Sequence, residues 1–216
     1  MEATGRRTPQ FRESERASVT GALSVLRSGH LGADALNQYW ECSRTIGMSQ
    51  TRTATRELRR AVRGTDESIR REAALHALWQ LDDRRAVSLY LQIAANRDGA
   101  ESEKARIIAV EALGVGIARR EVQAAVARCL GDPSKMVRFS ALCAAGRLCH
   151  LPGARITDDL RHRLEETAKD PNACYEPGDI ARLATEILQR CAKHPEPANR
   201  HASLKVWKSP PSAQRA

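Results

Sequence analysis

A chain of 216 residues is long enough to bury a core without disulfides or a metal, and its length is that of one or two domains. Aromatic residues make up only 4% of it while Ala, Leu and Arg abound, which argues against a sheet of β-branched and aromatic residues and for an all-α fold packed through small and aliphatic side chains. The formal charge of +9 is uneven: residues 1–63 carry 11 basic against 6 acidic side chains, 64–194 carry 20 against 19, and 195–216 carry 4 against 1, so the near-neutral middle is no broad phosphate-binding surface.

Residues 1–14 are polar and basic and are expected to be disordered. They contain no apolar run of the length a secretory signal needs, and the most apolar internal run, "IIAVEALGVGIA", is too short to span a membrane and carries Glu111. A soluble, cytoplasmic protein without membrane attachment is therefore expected. Residues 15–192 read as a run of helices, the first three at 15–29, 33–46 and 49–64. The third has Ala54, Leu58 and Val62 on one face, while Arg52, Arg56, Arg59, Arg60 and Arg63 crowd the other, opposed only by Glu57.

From here two kinds of helix alternate. The segments 66–81, 101–116 and 132–148 share a core in which an apolar residue precedes arginine: Ile69-Arg70, Ala105-Arg106 and Val137-Arg138. Four residues past the apolar position come Ala73, Ala109 and Ala141, and a turn later Ala77, Ala112 and Ala144, which places small residues on one helical face. A fainter copy starts at Asp179 with Ile180, Ala184 and Ile187, and reads as a degenerate cap. Between them, 84–97, 120–131 and 156–170 show apolar residues at helical spacing with a polar opposite face. Gly64, Gly99, Gly131 and Pro133 fall between units, and "DPNACYEPG" is expected to be a loop. Residues 193–216 form a Pro- and Ser-rich basic tail, expected to be disordered, in which Leu204, Val206 and Trp207 make either a short docking peptide or nothing more than a loose end.

The repeated "IRREAALHAL" of Ile69–Leu78, "ARIIAVEALG" of Ala105–Gly114 and "DPSKMVRFSALCAAGRL" of Asp132–Leu148 resemble the HEAT-repeat family, in particular the short HEAT-like repeats found in phycobilin lyases. The resemblance is clearest over 64–190. It implies a right-handed α-solenoid of about four to five helix pairs, with first helices on the convex side and second helices lining a concave binding surface. Members of the family are mostly adaptors and scaffolds. On this reading Arg70, Arg106 and Arg138 are structural, their stems covering apolar surface and their guanidinium groups meeting turn carbonyls or acids of the next unit. The helix 49–64 is then a second helix, and its arginine stripe is either a binding surface for an acidic protein segment or phosphates, or a solvated face. Further concave candidates are Arg85, Tyr90, Gln123 and His162, with Trp207 in the tail.

No residue constellation declares a reaction. The six cysteines are scattered without a C-x-x-C pair and read mostly as small buried hydrophobes, so neither a metal nor a disulfide framework is expected. Cys149 and His150 are neighbours in sequence, which on a helix point different ways. The "GVG" of Gly114–Gly116 follows a helix, not a strand, and reads as a turn. There is no His-Glu dipeptide of the kind that holds iron in HEAT-repeat hydroxylases, and the neutral middle lacks the basic track of HEAT-like DNA glycosylases. The expectation is a non-catalytic adaptor without cofactor, binding another protein through an acidic segment. The alternatives are a nucleic-acid-associated protein using the helix 49–64 and, after it, a cofactor protein of the lyase type.

Overall fold

The structure, a computed structural model, describes residues 9–28, 35–49, 54–64, 68–96, 99–151, 155–170, 174–175 and 178–192. Through them run ten α-helices: α1 Pro9–Ser28, α2 Ala35–Ser49, α3 Thr55–Gly64, α4 Ser68–Gln80, α5 Val87–Ala95, α6 Glu103–Ala112, α7 Arg120–Cys129, α8 Lys135–Gly146, α9 Asp158–Lys169 and α10 Ile180–Ala192. The first helix starts at Pro9, inside the stretch expected to be disordered; proline suits the first helical turn, where an N–H would have no partner. The expected loop before α10 holds a two-residue antiparallel ladder, β1 Cys174–Tyr175 with β2 Gly178–Asp179, too short for an alternating pattern to announce it. Among the described residues, no helix is long and apolar enough to cross a membrane.

The helices stack in two layers, an arrangement compatible with an α-helical solenoid. In the even layer α2, α4, α6, α8 and α10 each pack on the next, and in the odd layer α1 packs on α3, α5 on α7 and α7 on α9. Each odd helix packs extensively on the even helix that follows it, so the intimate pairs are α1 with α2, α3 with α4, α5 with α6, α7 with α8 and α9 with α10. This differs from pairs formed by each even helix and its successor: 3-10 segments at Leu113–Gly116 and Arg147–His150 carry the chain away from α6 and α8 before the next odd helix begins.

Small residues make the even layer close. Ala73, Ala77, Ala109, Ala112, Ala141 and Ala144 are all fully buried, and a larger side chain at these seams would hold the helix backbones apart. Gly47 shows the same constraint between α2 and α4, since a Cβ there would run into the Gln80 side chain. The odd helices contribute aliphatic ridges one turn apart, Leu58 with Val62, Val122 with Val126 and Leu160 with Leu164, all buried.

Polar ties join successive even helices at their N-termini. Ser102 and Ser134 cap α6 and α8 by accepting from the Ala105 and Val137 N–H groups, and their hydroxyls donate to Glu72 and Glu103 of the preceding even-helix unit. Arg106 reaches Asp132 at 2.5 Å in a pair whose side chains are each only 14% exposed. Arg138 donates to the carbonyls of Asp132 and Pro133 at 2.7 and 3.2 Å, and Arg71 pairs with Glu101 at 2.6 Å. Arg70 is looser, 3.5 Å from the Arg27 carbonyl. Sheltered, hydrogen-bonded pairs such as Arg106–Asp132 hold geometry better than exposed pairs, which contribute about 0–1 kcal/mol.

Candidate functional site

The arginine stripe of α3 is partly consumed by the fold. Arg52 lies outside the described residues. Arg59 donates to the Thr55 carbonyl at 3.2 Å and stands 3.3 Å from Asp83, tying α3 to the turn before α5. Arg60 donates to both carboxylate oxygens of Glu57 at 3.1 Å. Arg56 and Arg63 remain, exposed and without an ion-pair partner among the described residues.

Two of the residues expected on a concave surface are interior. Tyr90 on α5 is fully buried, and desolvation first, then the nearby Asp83 carboxylate, pushes its hydroxyl far above the usual phenol range. It is a core residue of the α5 seam. Gln123 on α7 is 1% exposed and works as a post: its Nε2 donates to the Arg155 carbonyl at 2.8 Å, and its Oε1 accepts from the Thr157 N–H at 2.7 Å. A side-chain amide thus pairs with backbone as a neighbouring strand would, and it fixes the segment that leads into α9. Arg85 is exposed in the 3-10 turn Arg84–Ala86, and His162 is exposed on α9 with its Nε2 3.2 Å from Glu166. Trp207 lies outside the described residues.

What Gln123 supports is the rim of a groove of about 860 Å³. Its basic lining comes from three successive turns: Arg84 before α5, Arg119 and Arg120 at the start of α7, and Arg155 before α9, with Asp158 the acidic member of the lining. Val87 and the turn Gly114–Gly116 form its floor. A Cβ at Gly116 would come within 3.2–3.4 Å of the Val87 and Val122 methyl groups, which would have to give by a few tenths of an ångström.

Four arginines against one aspartate give the lining an excess of formal positive charge. Arg119 stands 3.8 Å from Glu121, both more than half exposed, so the pair neutralises little of the site. The N-cap residue of α7 is Arg119, which makes no side-chain cap bond, so the first N–H groups of that helix add their dipole to the same rim. By contrast Thr157 caps α9, accepting from the Leu160 N–H, and Asp83 caps the turn before α5. Guanidinium groups recognise carboxylates and phosphates through paired hydrogen bonds.

Sequence reasoning singled out none of these four arginines, although the repeat contains their signal. Arg84, Arg119 or Arg120, and Arg155 follow one another by 35 or 36 residues, close to the period of the repeat, each within a few residues of the start of an odd helix. Arg52 falls 32 residues ahead of Arg84, in the same relation to α3.

A second cluster sits on the even layer. His76 lies between Trp40 and Trp79, with ring centroids 5.3 and 5.2 Å away, its Nδ1 is 2.8 Å from Ser43 Oγ, and Lys104 covers the Trp40 ring at 4.0 Å. Burial first and Lys104 second hold the His76 pKa below its ordinary value, so the ring is a neutral packing element. Of the cysteines whose side chains are described, Cys129 is buried and Cys42, Cys143, Cys149 and Cys191 are half-buried. Comparison with known protein families and with curated proteins finds no match for this chain.

Proposed function

We propose that this chain is a non-catalytic protein-interaction module, an α-solenoid of the HEAT-like kind, that holds an acidic segment of a partner protein along the arginine groove. The observation that carries this reading is the recurrence of arginine at one point of three successive repeat units, so that Arg84, Arg119 with Arg120, and Arg155 line a single groove. Helices packed side by side are spaced by about 8–10 Å, and an extended peptide advances about 3.3 Å per residue. A peptide laid across the helix starts therefore meets a new guanidinium group about every third residue. That periodicity suits a segment with Asp or Glu at such intervals, with the apolar floor at Val87 accepting a side chain between them.

The test compares a fluorescein-labelled peptide carrying Glu at every third position with its Gln counterpart and with a single-stranded oligonucleotide, by fluorescence anisotropy over a range of salt. The Glu peptide should bind, the Gln peptide should not, and the affinity should fall moderately with salt. Arg119→Glu with Arg120→Glu should weaken the peptide by about tenfold or more while leaving the circular dichroism spectrum unchanged, because both residues are exposed and acidic side chains suit a helix start. Tighter binding of the oligonucleotide, with a log–log salt slope of several phosphates, would replace this reading by the nucleic-acid one.

A further inference from the structure

The far end of the stack brings two thiols together. Cys149 lies in the 3-10 segment that ends α8, and Cys191 lies in the last turn of α10. They are 42 residues apart in sequence, yet their sulfurs are 3.5 Å apart, and the Cys149 thiol also approaches the Ile187 carbonyl at 3.7 Å. A disulfide bond is about 2.05 Å long, so the two sulfurs stand about 1.5 Å beyond bonding distance. Neither side chain is fully buried.

The surroundings of the two sulfurs differ. Cys149 borders a cavity of about 300 Å³ whose charged lining is Arg147, Arg190 and Glu186, with His150 and Cys143 beside it. Cys191 does not line it. Reactive cysteines occupy partly exposed, electropositive surroundings, because a nearby cation favours the thiolate and attracts an anionic reagent. Cys149, the one of the pair that lines this cavity, is the sulfur an incoming reagent meets first, while burial first, then the hydrogen bond with Cys149, raises the Cys191 thiol.

We propose that Cys149 and Cys191 form a reversible modification site for a small anionic disulfide of the glutathione class. The Cys149 thiolate attacks one sulfur of the reagent, its S–S bond breaks, and one thiolate leaves. Cys191 then attacks the Cys149 sulfur of the mixed disulfide, gives up its proton to solvent and expels the second thiolate. The two protein thiols are oxidised to one disulfide, and the reagent is reduced to two thiols. The product ties α10 to the end of α8 and closes a loop that contains α9, its Thr157 cap and Arg155.

The test uses the full reduced chain incubated with oxidised glutathione, followed by intact mass measurement and peptide mapping without reduction. The expected product has lost two hydrogens, its linked peptides join Cys149 to Cys191, and excess reduced glutathione reverses the bond. Its melting midpoint should rise by roughly 5 °C or more, since a loop of this length is constrained in the unfolded chain. Cys191→Ser should trap a glutathione adduct on Cys149, whereas Cys149→Ser should leave Cys191 unmodified. A link or stable adduct at Cys42, Cys129, Cys143 or Cys174 instead, or no reaction of the folded chain under conditions that oxidise a small dithiol, would overturn the proposal. The wild-type peptide map decides this even if a serine variant fails to fold.

Discussion

Replacing Gln123 by alanine tests whether the wall of the groove is held as described. The amide is 1% exposed and makes two hydrogen bonds to the backbone of Arg155 and Thr157, at 2.8 and 2.7 Å. Each such bond contributes about 1 kcal/mol net, with the loss at the lower end of the range for an orphaned backbone group here, because Arg155 is exposed and Thr157 half-buried, so water reaches them. The lost methylene adds about 0.8 kcal/mol. The expected destabilisation is about 2–3 kcal/mol, and the melting midpoint should drop by about 4–12 °C for a chain of this size. Urea denaturation followed by circular dichroism at the helical band measures it, with the midpoint shifting and the slope unchanged. Peptide affinity should fall as well, since Arg155 loses its support. A change under about 0.5 kcal/mol, the size of an ordinary surface substitution, would show that the amide does not hold this segment.

Other expectations follow from the core and from titration. Ala141→Leu should destabilise by about 1–3 kcal/mol through overpacking at the α8 seam, checked by the same denaturation; a neutral result would mean that the seam has room. His76 has a folded pKa below its ordinary 6.5, so the folded chain prefers the neutral ring while the unfolded chain takes up a proton first. Its contribution is complete above pH 6.5 and is lost as the pH falls from there toward the depressed folded value, so the stability of the wild type should drop over that window more than that of His76→Gln. Parallel curves for the two proteins would contradict the placement of His76 in the aromatic cluster. Arg56→Glu with Arg63→Glu should leave stability nearly unchanged and weaken the acidic peptide less than the change at Arg119 and Arg120, because the α3 pair lies outside the groove lining.

The helices were legible in the sequence because the alanine face repeats at helical spacing in three copies, and only a close helix seam demands so many small residues at fixed intervals. Tyr90 and Gln123 misled for opposite reasons. Tyr90 stands three residues after Val87, on the buried face of α5, so its place was readable from the period and was obscured by the polar tip of the ring. Gln123 carried no such signal: a buried amide is indistinguishable in sequence from a solvated one until the backbone it pairs with is known. The groove arginines escaped because Arg84 and Arg155 sit in turns, where helical periodicity says nothing, while the α3 stripe drew attention by its density. The pairing of Arg59 with Asp83 and of Arg60 with Glu57 then removed much of that stripe. Cys149 and Cys191 meet only because α10 folds back on the end of α8, a tertiary contact that their separation of 42 residues does not encode.

The claim that the arginine groove is the binding surface is tested most directly by locating the acidic peptide on the protein. Titrating the Glu-bearing peptide into isotopically labelled protein and following the arginine Nε–Hε resonances reports each guanidinium group separately. The largest shifts should fall on Arg84, Arg119, Arg120 and Arg155, with smaller ones at Arg56 and Arg63, and all should disappear with the Gln peptide. Shifts confined to α3 or to the Trp40–Trp79 cluster, or saturable binding that leaves the four groove arginines unmoved, would contradict it.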